Sequence, residues 1–588
     1  MRSAADKFID KLNRLRPWQV ALIFLTVALA VFATGIFGDW QDDDYQQIVN
    51  NNLVHSINGI PELFKGGTFY GGNAVASGSG TLLVGDYYRP LMETTFALIY
   101  AVAGAVPFWF HFVQILLVAL AAFVFYLFLA KLVRPPCLAM MVSLVFLVHP
   151  VNSQNAFAIP CMQEPLFFLL GAAALWMLSR SETDSSLVAA SICLWASLFA
   201  KETGVVFIAI AMVYLWMYRR NSLLKFIGMM VVPVALYLLL KLRAVGFGFT
   251  ASSQIDHLSF GQRLLNIPSI IFLYIVLFIF PIKIASRYYD VITRVSLFNF
   301  WLPLLAVTAA VALMVLGGWM LKRWGTPNHF KAYVFFGVWS VLGMIPNLQL
   351  VALDSTATPP WMYISAAGLL GVVGVILAAF WEKVNRRVLL LTFVAILILL
   401  GIRTAIRGLD WASSVTLARS DISVSDNNYM AYGDLAYQAM AQKDYKLGIK
   451  YGEKAASIFP SQSIYLNLVG AKLNNGDCAG ARSVNTKVVS LFNDSRFTWT
   501  PMLTLCSGDP ATNLKELKSA VGNQPNNMSF WVELAIAEQK DHNNEAAKTD
   551  ITTANSLGRV PSQIYDGIMR NLPFEFNIPN TDIHVQVP

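Results

Sequence analysis

Hydrophobic residues fall along this chain in long runs separated by short polar breaks. Runs at 18–37, 106–132, 166–178, 205–218, 226–242, 267–284, 297–321, 332–351, 362–381 and 388–402 each come near the length that crosses a bilayer, about 20 residues when helical. Shorter runs at 137–148 and 187–200 would complete a bundle. None shows the two-residue alternation of a transmembrane strand, and lipid offers an open backbone no hydrogen-bond partner, so helices are expected. From Tyr429 onward the pattern becomes that of a soluble helical protein, with no run long enough to span.

Composition sharpens this reading. Of 588 residues, 56% are hydrophobic and only 13% charged, where soluble domains average about 25% charged. The mean hydropathy is +0.54. A single water-soluble core is excluded. The net charge of +8 then reports topology rather than nucleic-acid binding. Lys7, Lys11, Arg14 and Arg16 precede the first run, Lys131 and Arg134 follow the second, and Arg219, Arg220 and Lys225 separate two later ones. Such clusters stay in the cytoplasm, so the first loop, 38–107, faces outward with its interfacial helices. The first run is too long for a signal-peptide core and is read as a retained helix.

Lys322, Arg323, Lys331, Lys383, Arg386 and Arg387 also look cytoplasmic, which sends the last helix outward and requires an odd count, about eleven or thirteen spans. The run 267–284 carries Pro268 and Pro281 and is the segment expected to be re-entrant. The expected fold is all-α: a polytopic transmembrane bundle over 1–408, of about eleven to thirteen spans, with an extracytoplasmic α-solenoid over 409–588.

The tail repeats itself. Tyr432, Leu435, Ala436, Tyr445, Ala455 and Pro460 stand at the spacings of a tetratricopeptide repeat, a helical hairpin of roughly 34 residues, with Lys443-Asp444-Tyr445 as the turn. A second unit has Tyr465, Gly476-Asp477 and Ala481; another has Trp531, Leu534, Ala535, Ala547 and Ala554. The stretch 496–525 is degenerate, and generic α-hairpins are the other reading. Cys137, Cys161 and Cys193 belong to the membrane part and Cys478 and Cys506 to the tail; these are five unrelated thiols, or the last two form a disulfide if the tail is extracytoplasmic.

Polar residues in an apolar bundle carry the candidate chemistry. Asp39-Trp40-Gln41-Asp42-Asp43-Asp44 follows the first run directly. These carboxylates either supply a general base or divalent-cation ligands, with Asp42, Asp43 and Asp44 an all-oxygen set suited to Mg²⁺ or Mn²⁺, or they are a solvated acidic patch. Tyr87-Tyr88-Arg89-Pro90-Leu91 precedes an apolar helix that includes Glu93; an arginine there suits a lipid phosphate or serves as an interfacial anchor. His149-Pro150, Glu164 and the pair Lys201-Glu202 stand at ends of apolar runs.

Taken in order, Asp43-Asp44 with Ile48 and Asn51, Tyr88-Arg89-Pro90-Leu91, His111, His149-Pro150, Glu164, Lys201-Glu202-x-Gly204, the Tyr363 region and the C-terminal repeats resemble the transmembrane and tetratricopeptide-repeat O-mannosyltransferases. More broadly they resemble the protein O-mannosyltransferase branch of the glycosyltransferase C superfamily. The chain departs from that pattern at Met162, where the family usually has Arg, and at Thr358-Pro359-Pro360-Trp361-Met362-Tyr363, where it has an Ala-Glu-Arg-Tyr-Leu-Tyr-like stretch.

The resemblance implies a membrane glycosyltransferase that moves a sugar, usually with inversion, from a polyprenyl-phosphate carrier to a Ser or Thr hydroxyl of a secreted or surface protein such as a pilin. Asp43 is the expected base, with Asp44 orienting or assisting it. Arg89, Lys201 and His149 would bind the donor phosphate, with Tyr88, Glu93, Glu164 and Glu202 supporting them. The repeats would guide the acceptor protein. A bacterial inner membrane, with site and tail in the periplasm, is the expected location. The rival readings are transfer to lipopolysaccharide or another envelope glycan, a non-enzymatic membrane scaffold, and a transporter, the last disfavoured because no inverted repeat is seen.

Overall fold

The computed structural model describes residues 4–41, 43–69, 87–246, 253–492, 510–523, 525, 528–558, 560–577 and 584–587. The chain divides into two compact units between Asn428 and Tyr429. The first is built almost wholly of helices. Among the described residues eight are long and apolar enough to cross a membrane: Pro17–Gly35, Pro107–Leu132, Ile159–Arg180, Arg220–Val245, Phe260–Ile279, Leu297–Trp324, Pro359–Ala379 and Arg386–Asp410. The pair Pro136–Val148 and Pro150–Phe157, bent by 54°, makes nine if it counts as one. Further apolar runs form shorter helices, Pro90–Ala103, Asp184–Ala200 and Glu202–Tyr218, and Pro327–Met344 packs along Tyr363–Ala379.

Two helices show why the surroundings must be lipid. Pro359–Ala379 and Leu297–Trp324 are equally apolar, yet 72% of the first lies inside the protein and only 11% of the second. A helix that is hydrophobic on every side and unburied by protein is stable only with hydrocarbon as its solvent. Between the central helices the driving force is packing rather than exclusion of water. A Cβ on Gly368 would stand 2.5 Å from Ser340 Oγ and 2.7 Å from Ser340 N, so only glycine lets these two backbones approach so closely. Beside that contact Trp339 is fully buried, donating its indole N–H to Ile364 O at 3.0 Å among Phe125, Phe128 and Phe207.

The expected re-entrant break at 267–284 does not occur. Phe260–Ile279 is one continuous helix with Pro268 inside it, and Pro281 lies beyond its C-terminal residue. A proline removes one intrahelical bond. Here neighbouring side chains tie the helix on either side of that position: Asn266 bridges to Ile292 N and O at 2.6 and 3.2 Å, and Ser269 Oγ donates to Asn299 O. The sharp bend falls instead at His149-Pro150, where extended His149 precedes a proline that cannot continue the helix.

The second unit is a series of helical hairpins, Tyr429–Ala441 with Tyr445–Ile458, Gln462–Asn474 with Cys478–Phe492, and Met528–Lys540 with Asn544–Leu557. Their turns share one design. Lys443, Gly476 and His542 all have positive φ, and each is followed by an Asp or Asn, the residue types that start the next helix. Asp444 accepts from Leu447 N at 3.1 Å and Asp477 from Gly480 N at 2.9 Å. Ala436, Ala455, Ala481, Ala535, Ala547 and Ala554 are all buried where paired helices meet. A short hairpin, Phe574–Asn577 with His584–Val587, follows. Cys137, Cys161 and Cys193 are free thiols and Cys478 is disulfide-bonded; Cys506 lies outside the described residues.

Candidate functional site

The chain leaves the first span in a turn that separates its neighbouring carboxylates. Asp44 is buried and its Oδ2 accepts Gln41 N at 2.8 Å, while Gln41 Nε2 donates to Trp411 O at 2.6 Å. Asp43 turns the other way. Its side chain keeps 19% exposure and lies 3.9 Å from Arg287. Burial raises its pKa above the ordinary carboxylate value, and Asp354 adds to that, while Arg287 and Arg89 oppose it. A carboxylate tuned upward in this way binds a proton more readily and is a better base near neutrality.

Arg89 is held from three sides. Its backbone N–H donates to Thr68 Oγ1 at 3.1 Å, its Nε to Glu202 Oε2 at 3.2 Å, and its guanidinium lies 4.3 Å over the Tyr87 ring. The other oxygen of Glu202 accepts Tyr88 N at 3.0 Å, so one carboxylate fixes two consecutive residues. Pro90 then begins the helix Pro90–Ala103. Tyr88 is buried, with its hydroxyl on Phe64 O at 2.9 Å, and Glu93 is buried in that helix's first turn. Among the described residues no hydrogen bond engages the terminal nitrogens of Arg89.

Lys201 and Glu202 serve opposite purposes because Lys201 is extended (φ −159°, ψ 142°) between two helices, which directs consecutive side chains apart. Glu202 takes Arg89. Lys201 forms an ion pair with Glu164 that is nearly sealed, at 8% and 2% exposure. This pair lines a small cleft with Phe167, Thr203, Asn347 and Trp361.

The charge cluster contains residues that the sequence pattern did not single out. Arg287 lies in the loop after Phe260–Ile279, Asp354, itself exposed, in the loop before Pro359–Ala379, and Lys241 in the last turns of Arg220–Val245, where its charge acts on Glu202. The Cys161 thiol senses Glu164, Lys201, Arg287 and Asp43 together. The signal that could have found Arg287 was Arg287-Tyr288-Tyr289-Asp290, a polar interruption immediately after an apolar run. Residues 286–290 and 355–358 are joined by a short antiparallel bridge, with Tyr288 N on Ala357 O at 2.8 Å and Thr356 N on Tyr288 O at 2.9 Å.

No family model matches the chain. Curated relatives do. The mouse protein O-mannosyl-transferase TMTC3 is 22% identical over 512 residues, 78% of this chain and 52% of its own length. A protein O-mannosyl-transferase of Caenorhabditis elegans is 23% identical over 450 residues, 73% and 62% of the two chains. Human protein O-mannosyl-transferase TMTC1 is 29% identical over a shorter stretch of 218 residues, 34% and 24% of the two chains. The chain resembles the transmembrane and tetratricopeptide-repeat O-mannosyltransferases. It spans roughly half to three-fifths of the length of the first two relatives.

Of the residues that this resemblance singled out, Asp43, Arg89, Glu164, Lys201 and Glu202 come together in one cluster. His149 meets backbone instead. Expected at the donor phosphate, it is buried with Nδ1 accepting Val151 N at 3.2 Å and Nε2 bonded to Phe278 O at 3.0 Å, its ring stacked on Phe278; both nitrogens are committed to holding the bend. Asp44 likewise acts on backbone, and Tyr88 and Glu93 stand behind Arg89 in the protein interior. His111 is buried in Pro107–Leu132. At the departures, Met162 is fully buried and Trp361 reaches the cleft, while Tyr363 packs between Phe146 and Phe168, each ring 4.8 Å away.

Asp42 lies outside the described residues. Asp43 and Asp44 diverge, and among the described residues no three His, Cys, Asp or Glu side chains are grouped to hold a metal ion.

Proposed function

We propose that this protein is a membrane glycosyltransferase that moves a sugar from a polyprenyl-phosphate carrier to a Ser or Thr hydroxyl of a secreted or surface protein. The observation that carries the reading is the convergence of a partly exposed, proton-avid Asp43 with the cations Arg89 and Lys201 from three separate stretches of chain. The names of the relatives make mannose the first sugar to test.

In this mechanism Asp43 takes the proton of the acceptor hydroxyl as its oxygen attacks the anomeric carbon. The bond from that carbon to the carrier phosphate breaks, the electron pair leaves with the phosphate, and attack from the opposite face inverts the centre. Arg89 offers its terminal N–H groups to the departing phosphate as a pre-oriented fork, held by Glu202 and Thr68 so that little reorganises during reaction. Lys201, already paired with Glu164, contributes field and cleft shape rather than a free ammonium.

On this reading the site faces outward from a bacterial inner membrane into the periplasm; the placement of positive charge in the other loops supports the outward side alone. The repeat unit presents the acceptor polypeptide, a task for which stacked hairpins provide an extended surface.

The test is mass spectrometry of surface proteins and envelope glycans from cells with the intact protein, Asp43→Asn, or none. Loss of one sugar-sized mass from a protein in both deficient strains is the expected result. Loss from a glycan instead would move the acceptor to the envelope, and no loss from either, with the acceptors expressed, would sink the reading in favour of a scaffold.

A further inference from the structure

Arg287 faces Asp43 from a loop that has no helix of its own to hold it, and the loop's rigidity comes from the segment just before Tyr429. Ser286 N donates to Asp421 Oδ1 at 2.9 Å and Ser286 Oγ to Asp421 Oδ2. Two residues further along, the bridge from Tyr288 to Ala357 begins. Beyond it, Asp290 accepts from Ser425 Oγ at 3.2 Å and Asn427 Nδ2 at 2.7 Å, and Asn428 Nδ2 donates to Arg287 O at 3.3 Å. The loop is thus gripped on both sides of Arg287.

The grip is itself anchored in the bundle. Asp421 is buried at 3% side-chain exposure and paired with Arg407, which is 1% exposed and sits in the last span. Arg407 Nη1 also donates to Asp410 Oδ2 at 2.8 Å and Ser420 Oγ at 2.9 Å. A buried pair of this kind needs every partner in place, since leaving either charge alone is costly. Such a network adds little net stability over apolar packing but specifies one geometry, and here that geometry sets the loop that carries Arg287.

We propose that Asp421 is a positioning residue of the transfer site: through Ser286 it holds Arg287 against Asp43, and Arg287 in turn directs the Asp43 carboxylate. The proposal rests on the transfer reading above for its kinetic consequence, and on the hydrogen-bond network alone for its geometry. Arg287 keeps Asp43 aimed at the acceptor hydroxyl, and Asp354, Arg89 and Cys161 are the other groups that share its surroundings. Acting on the base, Arg287 bears on the chemical step. Its loss is therefore felt in turnover rather than in donor binding.

Two readouts separate the geometry from the chemistry. In the full chain in nanodiscs, with Cys161→Ser to remove the neighbouring thiol, Asp43→Cys and Arg287→Cys are bridged by a short bis-maleimide. Bridging proceeds in this background and falls at least ~5-fold on adding Asp421→Asn, because a loop freed from its anchor samples many positions. Asp290→Asn loosens the other side of the grip without touching the buried Arg407 and decides the matter if Asp421→Asn does not fold. Equal bridging in the folded variants overturns the proposal.

The second readout is transfer from polyprenyl-phosphate mannose to total secreted protein. Here Asp421→Asn and Asp290→Asn lower kcat by ~10-fold or more with donor KM within ~2-fold, and Asp421→Glu restores part of it. A rise in donor KM with kcat unchanged overturns the assignment to the base. Absence of transfer by the unaltered protein, with bridging still dependent on Asp421, refutes the transfer reading and leaves the positioning of Arg287 standing.

Discussion

Two ion pairs in the membrane unit involve groups of similar chemistry and live under opposite conditions. Glu164 and Lys201 are sealed, at 2% and 8% exposure, whereas Asp43 and Arg287 stand 3.9 Å apart at 19% and 37%. A sealed pair is a structural commitment: its desolvation is already complete, and separating the partners leaves a charge in a medium that cannot solvate it. An open, loose pair holds its carboxylate within reach of a reactant and leaves it able to exchange a proton. The pair Arg89–Glu202 lies between them, at 12% and 23%, with the Nε nitrogen spoken for. On the proposed reading, accessibility more than charge would separate reagents from scaffolding.

The largest effect that tests this contrast is on turnover. Asp43→Asn should cut transfer by ~10²- to 10⁴-fold, the usual contribution of a positioned base, with little change in thermal unfolding. A stability loss with turnover intact would reverse the assignment of the two pairs. The sealed pair should behave the other way. Lys201→Met should destabilise the detergent-solubilised protein by about 3–5 kcal/mol because it strands Glu164, and adding Glu164→Leu should recover most of that loss, as seen by thermal unfolding. If the single change is silent, the pair is wetter than its burial implies.

Arg89→Lys sharpens the middle case. An ammonium keeps the charge and loses the fork, so binding of polyprenyl phosphate should weaken by about 10-fold while the fold holds, readable by titration in nanodiscs. The smallest effect is on pH dependence. Asp43 is raised by burial, so the acid limb of the rate profile should lie above the ordinary aspartate value of about 3.9, with rate falling as pH drops and the carboxylate takes up its proton. Arg287 works against that rise, so Arg287→Gln should move the limb to still higher pH; a downward move would mean that Arg287 does not act on Asp43.

Much of the architecture is legible in the order of residues. The spans can be read because lipid imposes a nearly local rule: a segment of sufficient length and apolarity must close its own backbone bonds, whatever its neighbours do. The helical hairpins are legible for a related reason, since small residues such as Ala436 and Ala455 must recur wherever paired helices meet. Lys201-Glu202 stands out as charge where charge is expensive, though nothing in the pattern says that one takes Glu164 and the other Arg89.

The run at 267–284 shows the limit of local rules, because Pro268 argues for a break and Asn266 and Ser269 find partners across the fold that make a continuous helix possible. His149 shows the same limit: a histidine at membrane depth reads as chemistry, and only the fold reveals that both of its nitrogens meet backbone. What the sequence determined by itself was which segments are helical, which solvent surrounds them, and which residue types are too costly to be incidental. Only the tertiary structure decided who meets whom. Arg287, Asp354 and Lys241 reach the site from distant loops and helix ends, and whether a charge becomes a reagent or a strut depends on how far water and substrate can reach it, a property of the packed whole that no run of neighbours along the chain contains.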